Sequence, residues 1–279
     1  MIRIGVVAPG SPLAAGVDDR VRDLVRRLFP GRVEIDFHPQ CFFSHGHFAG
    51  DDDARTAAFV EVANDPDIDV LWIGRGGYGS CRIAEHVLPR LGDAARAKTY
   101  LGYSDAGTMM AGLYGAGIGR VAHGPMPSDI LRDGGEAAVE RALAYLVDTA
   151  LDALEGSVSL ATRTAAFNLT ILSQLLGTAL EPDLTDHVLM IEEVCEHHYR
   201  IDRAMFHITG NPGIRRVAGI RLGRCGQIPP NDPDFGEDEE QIVAGWCARS
   251  GIAYLGRADI GHDSDNKVVP FGTLGSLGD

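Results

Sequence analysis

With 279 residues, 45% hydrophobic and 23% charged, the chain sits close to globular averages and is long enough for two cores of ordinary size. A formal charge of -14, with no run of Lys and Arg to offset it, argues against a nucleic-acid partner, and no stretch reaches the roughly 20 apolar residues of a membrane span. Five scattered cysteines (Cys41, Cys81, Cys195, Cys225, Cys247) without a C-x-x-C pair exclude a disulfide framework or structural zinc and read as buried free thiols.

Met1 through Pro9 reads as an opening strand, its apolar run too short for a secretory signal, which gives a cytoplasmic expectation. After a Pro9–Pro12 turn, Val21, Leu24, Val25 and Leu28 fall at amphipathic-helix spacing within Asp18 to Phe29. Val33 to Phe37 alternates as a strand and Asp52 to Ala63 as a helix; the acidic clusters at Asp51-Asp52-Asp53 and Asp232 to Glu240 read as solvated loops or helix starts. Val70-Leu71-Trp72-Ile73 is a continuous apolar run suited to a strand buried on both faces. It leads into the glycine-rich turn Gly74 to Ser80 and a helix from Arg82 to Leu91. The strand Thr99 to Tyr103 then meets Ser104-Asp105, with a helix through Leu113. The alternation predicts an α/β fold with a mostly parallel sheet, and both turns lie at strand carboxyl ends, where such sheets bind ligands.

A helix from Glu136 to Val147 leads into Leu151–Ala165, where periodicity fades; the expected domains are therefore 1–155 and 156–279. The second half reads as a helix over Leu169–Leu176, a strand Val188–Ile191 ending at Glu192-Glu193, and a helix over Tyr199–Ile208. A strand at Val217–Ile220, a helix over Glu239–Arg249 and a late strand Ile252–Leu255 precede Gly261-His262.

Gly102-Tyr103-Ser104-Asp105-Ala106 places a serine on a tight strand-to-helix turn, which lifts Oγ out of the sheet and frees the next N–H for an oxyanion. Taken alone, a serine before an aspartate at a helix start is more often a cap. The turn at 74–79 lacks Gly-Lys-Ser/Thr and the dinucleotide spacing, so it cradles something smaller than a nucleotide or serves packing. The pairs His45/His47 and His197/His198 lack a third ligand at diagnostic spacing, so no metal or cofactor is expected. His262, on a loop rich in Asp and Ser, is either a surface histidine or a base.

Together these residues resemble the L,D-carboxypeptidase family of serine peptidases, which includes the microcin-immunity carboxypeptidases. The resemblance runs through Val7-Ala8-Pro9, Arg75-Gly76-Gly77-Tyr78-Gly79, Gly102-Tyr103-Ser104-Asp105 and His123-Gly124-Pro125-Met126. It continues through Asn168-Leu169-Thr170, Leu176-Gly177-Thr178, Ile191-Glu192-Glu193, Tyr199 to Arg203 and Gly261-His262. It implies Ser104 as nucleophile, Glu192 as orienting carboxylate and His262 as base, with oxyanion donors from Gly76, Gly77 and the Asp105 N–H. It also implies a β-rich carboxyl-terminal domain, a site in the cleft between the domains, and a homodimer. The implied activity is release of terminal D-alanine from murein tetrapeptides during cell-wall recycling, and the alternative branch cleaves an aminoacyl-nucleotide. Such substrates carry carboxylates, for which Arg75 and Arg203 are the nominees. A non-catalytic small-anion binding protein is the competing class. The chain departs from the family at Glu193 (usually Asp), Gly107 (usually Thr) and Ala166-Phe167 (usually two glycines).

Overall fold

In the computed structural model, which describes residues 1–274, the first half alternates strand and helix. In order these are β1 (Ile2–Val7), α1 (Val17–Leu28), β2 (Val33–Phe37), α2 (Asp52–Asn64), β3 (Val70–Ile73), α3 (Ser80–Val87), the one-turn α4 (Asp93–Arg96), β4 (Thr99–Gly102), α5 (Gly107–Gly115), β5 (Arg120–His123) and α6 (Gly135–Asp148). The second half adds β6 (Arg163–Asn168), α7 (Leu169–Leu175), β7 (His187–Val194), α8 (His198–Gly210), β8 (Gly219–Gly226), α9 (Glu239–Ser250), β9 (Tyr254–Arg257) and β10 (Val269–Pro270).

The first sheet has strand order β10-β5-β4-β3-β1-β2, with β1 to β5 parallel and β10 antiparallel against β5. Helices cover both faces, so its central strands can be apolar throughout. In β3, Val70 and Trp72 pack with Val21, Leu24 and Leu143 on one face, whereas Leu71 and Ile73 pack with Val87, Met109 and Leu113 on the other. The second sheet, β6-β7-β8-β9, is wholly parallel. Its Phe167, Leu189 and Ile191 belong to the same apolar cluster as Met109 and Leu113, so the two sheets share one core.

The acidic clusters start helices: Asp51 caps α2 by accepting from Ala54 N, and Asp238 forms a capping box with Gln241 on α9. Several details differ from the sequence reading. β7 continues through Val194, so Glu192 and Glu193 lie within a buried strand instead of after it. β6 begins inside the stretch taken as periodicity-free; Ala165 and Ala166 are poor strand formers, but their small side chains fit between sheet and core. Cys41 and Cys247 are buried and Cys225 is half-buried, whereas Cys81, in the first turn of α3, and Cys195, just after β7, are exposed. The segment around β10 returns to the first half, where Phe271 N donates to Val121 O at 2.8 Å, and Gly272 pairs with Thr164 of β6, accepting from Thr164 N at 3.0 Å and donating to Thr164 O at 2.9 Å.

Candidate active site

Ser104 stands just beyond the carboxyl end of β4, followed by a single 3-10 turn and α5. Its φ of +61° is left-handed, a region that disfavours a residue with a Cβ and is held only where the surroundings over-determine it. The carboxyl end of the neighbouring β3 supplies the glycine turn, which lies directly against this serine. A Cβ on Gly76 would fall 2.9 Å from Ser104 Cβ and 3.0 Å from its Oγ, and one on Gly77 (φ +87°) would fall 2.2 Å from Ser11 Oγ. Only glycine allows that approach. Neither Gly76 N–H nor Gly77 N–H donates to a backbone carbonyl among the described residues.

The Asp105 side chain joins the two turns. Its carboxylate is 2% exposed and accepts from Gly79 N at 3.2 Å and Ser80 N at 2.9 Å, capping α3 and pinning the glycine turn to the serine turn. The sequence reading used only the Asp105 N–H; the side-chain role leaves no local signal, because its partners lie in another turn.

Glu192 on β7 is fully buried, and its Oε2 lies 2.5 Å from His262 Nδ1. Its Oε1 has no hydrogen-bond partner among the described residues. Burial disfavours the charged imidazole, but the Glu192 charge and hydrogen bond outweigh it and hold His262 above its ordinary range. Because Nδ1 is committed to the carboxylate, Nε2 is the nitrogen left for proton transfer. The imidazole packs on Tyr103, the residue before Ser104, with ring centroids 4.9 Å apart. Among the described residues Ser104 Oγ makes no hydrogen bond, to His262 or otherwise. The adjacent Glu193 serves packing instead: it accepts from Asn168 Nδ2 at 2.7 Å, Thr170 N at 2.9 Å and Thr170 Oγ1 at 2.6 Å, which fixes the start of α7.

The loop carrying His262 is held from the first half of the chain. Asn266 Oδ1 accepts from Gly261 N and faces His123 Nε2, both at 3.2 Å; burial drives His123 down to about 3, so it is neutral and donates from Nε2. Arg141 Nη1 donates to the carbonyls of Ser264 (2.9 Å) and Asn266 (3.0 Å), and Arg132 Nη1 to that of His262. Arg132 Nε pairs with Asp129 at 3.1 Å, and Asp129 accepts from Tyr103 Oη at 2.9 Å. The sequence reading missed these anchors, since partners 123 to 143 positions apart share no local pattern.

Neither nominated arginine hydrogen-bonds to Ser104, Glu192 or His262 among the described residues. Arg75 donates to Pro12 O at 2.8 Å in an exposed position. Arg203 lines a separate cavity with Thr170, Glu196 and Arg200, its guanidinium 5.7 Å from the Tyr199 ring centroid. His262 opens on a cleft of about 560 Å³ whose walls include Arg132, Val194, Gln227 and Ser264. Among the described residues no group of three His, Cys, Asp or Glu converges as a metal would require, and no helix is long and apolar enough to cross a membrane.

A mostly parallel sheet and a wholly parallel one on a shared core, with a serine turn at the sheet edge, define an α/β protein of hydrolase type. The family models narrow it. The description "LD-carboxypeptidase N-terminal domain" matches residues 4–124 and "LD-carboxypeptidase C-terminal domain" matches 162–277, so the chain belongs to the LD-carboxypeptidase family, serine peptidases that hydrolyse peptide bonds. A relative in Bacillus subtilis, named "Probable murein peptide carboxypeptidase", is 27% identical over 98% of this chain and 88% of its own. The crystal structure of muramoyltetrapeptide carboxypeptidase from Oxalobacter formigenes shares the fold with a TM-score of 0.80 and 24% identity, covering 96% of this chain and 93% of that one. The microcin C7 self-immunity protein MccF does so with a TM-score of 0.77 and 19% identity, covering 97% and 91%.

Proposed function

We propose that this chain is a serine carboxypeptidase that releases terminal D-alanine from murein tetrapeptides by hydrolysing the L,D amide bond. The observation that carries the reading is the short Nδ1 to Oε2 contact between His262 and the fully buried Glu192, with that imidazole packed against the turn of a conformationally strained serine. In this reading His262 Nε2 takes the Ser104 proton as Oγ attacks the carbonyl. Glu192 holds the imidazole tautomer and offsets the positive charge that forms on it. The Gly76, Gly77 and Asp105 N–H groups receive the oxyanion; His262 then protonates the departing amine, and water repeats the cycle on the acyl-enzyme. The open Ser104–His262 geometry fits a site whose hydrogen bonds tighten when substrate is bound.

The murein substrate is supported by the Bacillus subtilis and Oxalobacter formigenes names. The MccF likeness supports a second reading, cleavage of an aminoacyl-nucleotide by the same three side chains. Purified protein given murein tetrapeptide and an aminoacyl-sulfamoyl nucleoside decides between them: the first reading expects D-alanine by mass spectrometry and a higher kcat/KM on the peptide. Absence of D-alanine, or a preference for the nucleotide, overturns it. Placement in cytoplasmic cell-wall recycling and assembly as a homodimer belong to the same proposal; fractionation and analytical ultracentrifugation test them.

A further inference from the structure

A carboxypeptidase must recognise a free carboxylate, and bond lengths fix where. The amine that His262 protonates is separated from the terminal carboxylate carbon by one tetrahedral carbon, about 2.5 Å in all. Two hydrogen bonds of about 3 Å then connect that amine to the imidazole and that carboxylate to its receptor. The receptor therefore lies within one residue's reach of His262, on the wall of the same cleft. Arg75, which donates to Pro12 O, and Arg203, in the cavity beside Thr170 and Arg200, are not among the residues lining it.

Arg132 does. It is the one permanently cationic side chain among the described residues lining that cleft. Of its five N–H groups, the one on Nε faces Asp129 and one on Nη1 faces the His262 carbonyl. Nη2 donates no hydrogen bond among the described residues, and the side chain is 36% exposed. The fork is thus held rigidly by two partners while its outer edge stays open, the arrangement that suits a planar carboxylate. The competing charges are accounted for: Asp263 is gripped by Arg224 through Nε at 2.5 Å and Nη2 at 2.8 Å, and Asp129 is buried behind the arginine. Asp133 is the remaining acid on the cleft wall and forms no ion pair among the described residues, so it repels a substrate carboxylate that strays from the Arg132 side. Gln227 and Ser264 offer only neutral donors there.

We propose that Arg132 binds the carboxylate of the departing D-alanine and so makes the enzyme an exopeptidase, an inference that rests on the peptidase reading above. The test compares kcat/KM for a tetrapeptide ending in free D-alanine with that for its carboxyl-terminal amide. The wild type is expected to favour the acid on the order of a hundredfold, as one charge-assisted pair allows, and Arg132→Ala to bring that ratio near one. Arg132→Lys keeps a charge without the fork and should fall between. If Arg132 serves only to hold the His262 loop, both substrates slow equally and the ratio stands, which overturns the inference. Collapse of the ratio in Gln227→Ala instead of Arg132→Ala also overturns it. Should Arg132→Ala abolish turnover, calorimetric binding of acid and amide to Ser104→Ala, with and without the Arg132 change, reads the same ratio without chemistry. A wild type inert on both peptides would sink the parent reading instead.

Discussion

Replacing Glu192 with glutamine keeps the shape of the side chain and removes its charge. The carboxylate is fully buried and lies 2.5 Å from His262 Nδ1. With charge centres about 4 Å apart and an effective dielectric near 20, its attraction to an imidazolium is about 4 kcal/mol, equivalent to roughly a thousandfold in rate. At pH values where the free imidazole is neutral, that imidazolium forms as His262 takes the Ser104 proton, so kcat should fall by about three powers of ten while KM changes little. The pH profile gives a second reading. Burial pushes the His262 pKa down and Glu192 pushes it up, with Glu192 prevailing. In Glu192→Gln the dominant raising influence is gone while burial and the Arg132 charge still lower the value, so the acid limb of kcat/KM should move to lower pH. The linked stability has the opposite signature. Protonated His262 stabilises the wild-type fold fully below the ordinary imidazole value, and the contribution fades as pH rises through the raised folded value; the variant should lack this slope in urea titrations. A loss of less than about tenfold in kcat with an unmoved acid limb would refute the reasoning, since an uncharged partner would then serve as well.

Ser104→Gly and Ser104→Ala should both lose turnover, but only glycine relieves the φ of +61°, so the glycine variant should be the more stable by about 1 kcal/mol in urea denaturation. Asp105→Ala removes a buried carboxylate that accepts two N–H groups of the glycine turn, and should lower stability by about 3 kcal/mol and slow catalysis as that turn drifts. Gly76→Ala places a methyl 2.9 Å from Ser104 Cβ and 3.0 Å from its Oγ at a buried position, so the serine turn must shift and kcat should drop on the order of a hundredfold, with a lowered melting temperature beside it.

The parts of the fold legible in the sequence are those dictated by local pattern. Val70 to Ile73 reads as a strand buried on both faces, and it is β3 residue for residue. β5 escaped notice because its four residues begin with Arg120 and end with His123, polar groups whose burial or pairing is arranged from elsewhere in the chain. β10 is two residues long, one of them proline, and exists because β5 offers it an edge. The candidate site shows the same division. Ser104, Glu192 and His262 each read ambiguously by themselves, and only their ordered company with the glycine turn distinguished them. The Glu192 to His262 pair is found in one place, whereas the Ser104 hydrogen bond is not formed in this structure. The anchoring roles of Arg132 and His123 left no local signal because each acts on a loop more than a hundred positions away, and that of Asn266 because its partner His123 is equally distant.

The closing strand β10 is contributed by the tail of the second half yet completes the sheet of the first, while Gly272 clasps Thr164 on the way. Neither half is therefore a module that recombination can exchange at the midpoint. A chimaera would inherit a first sheet with a bare edge along β5, or a foreign tail fitted to someone else's neighbour. Changes to the base loop, which lies between β9 and β10, must accordingly be compatible with both sheets at once. That ties drift in one half of the chain to drift in the other.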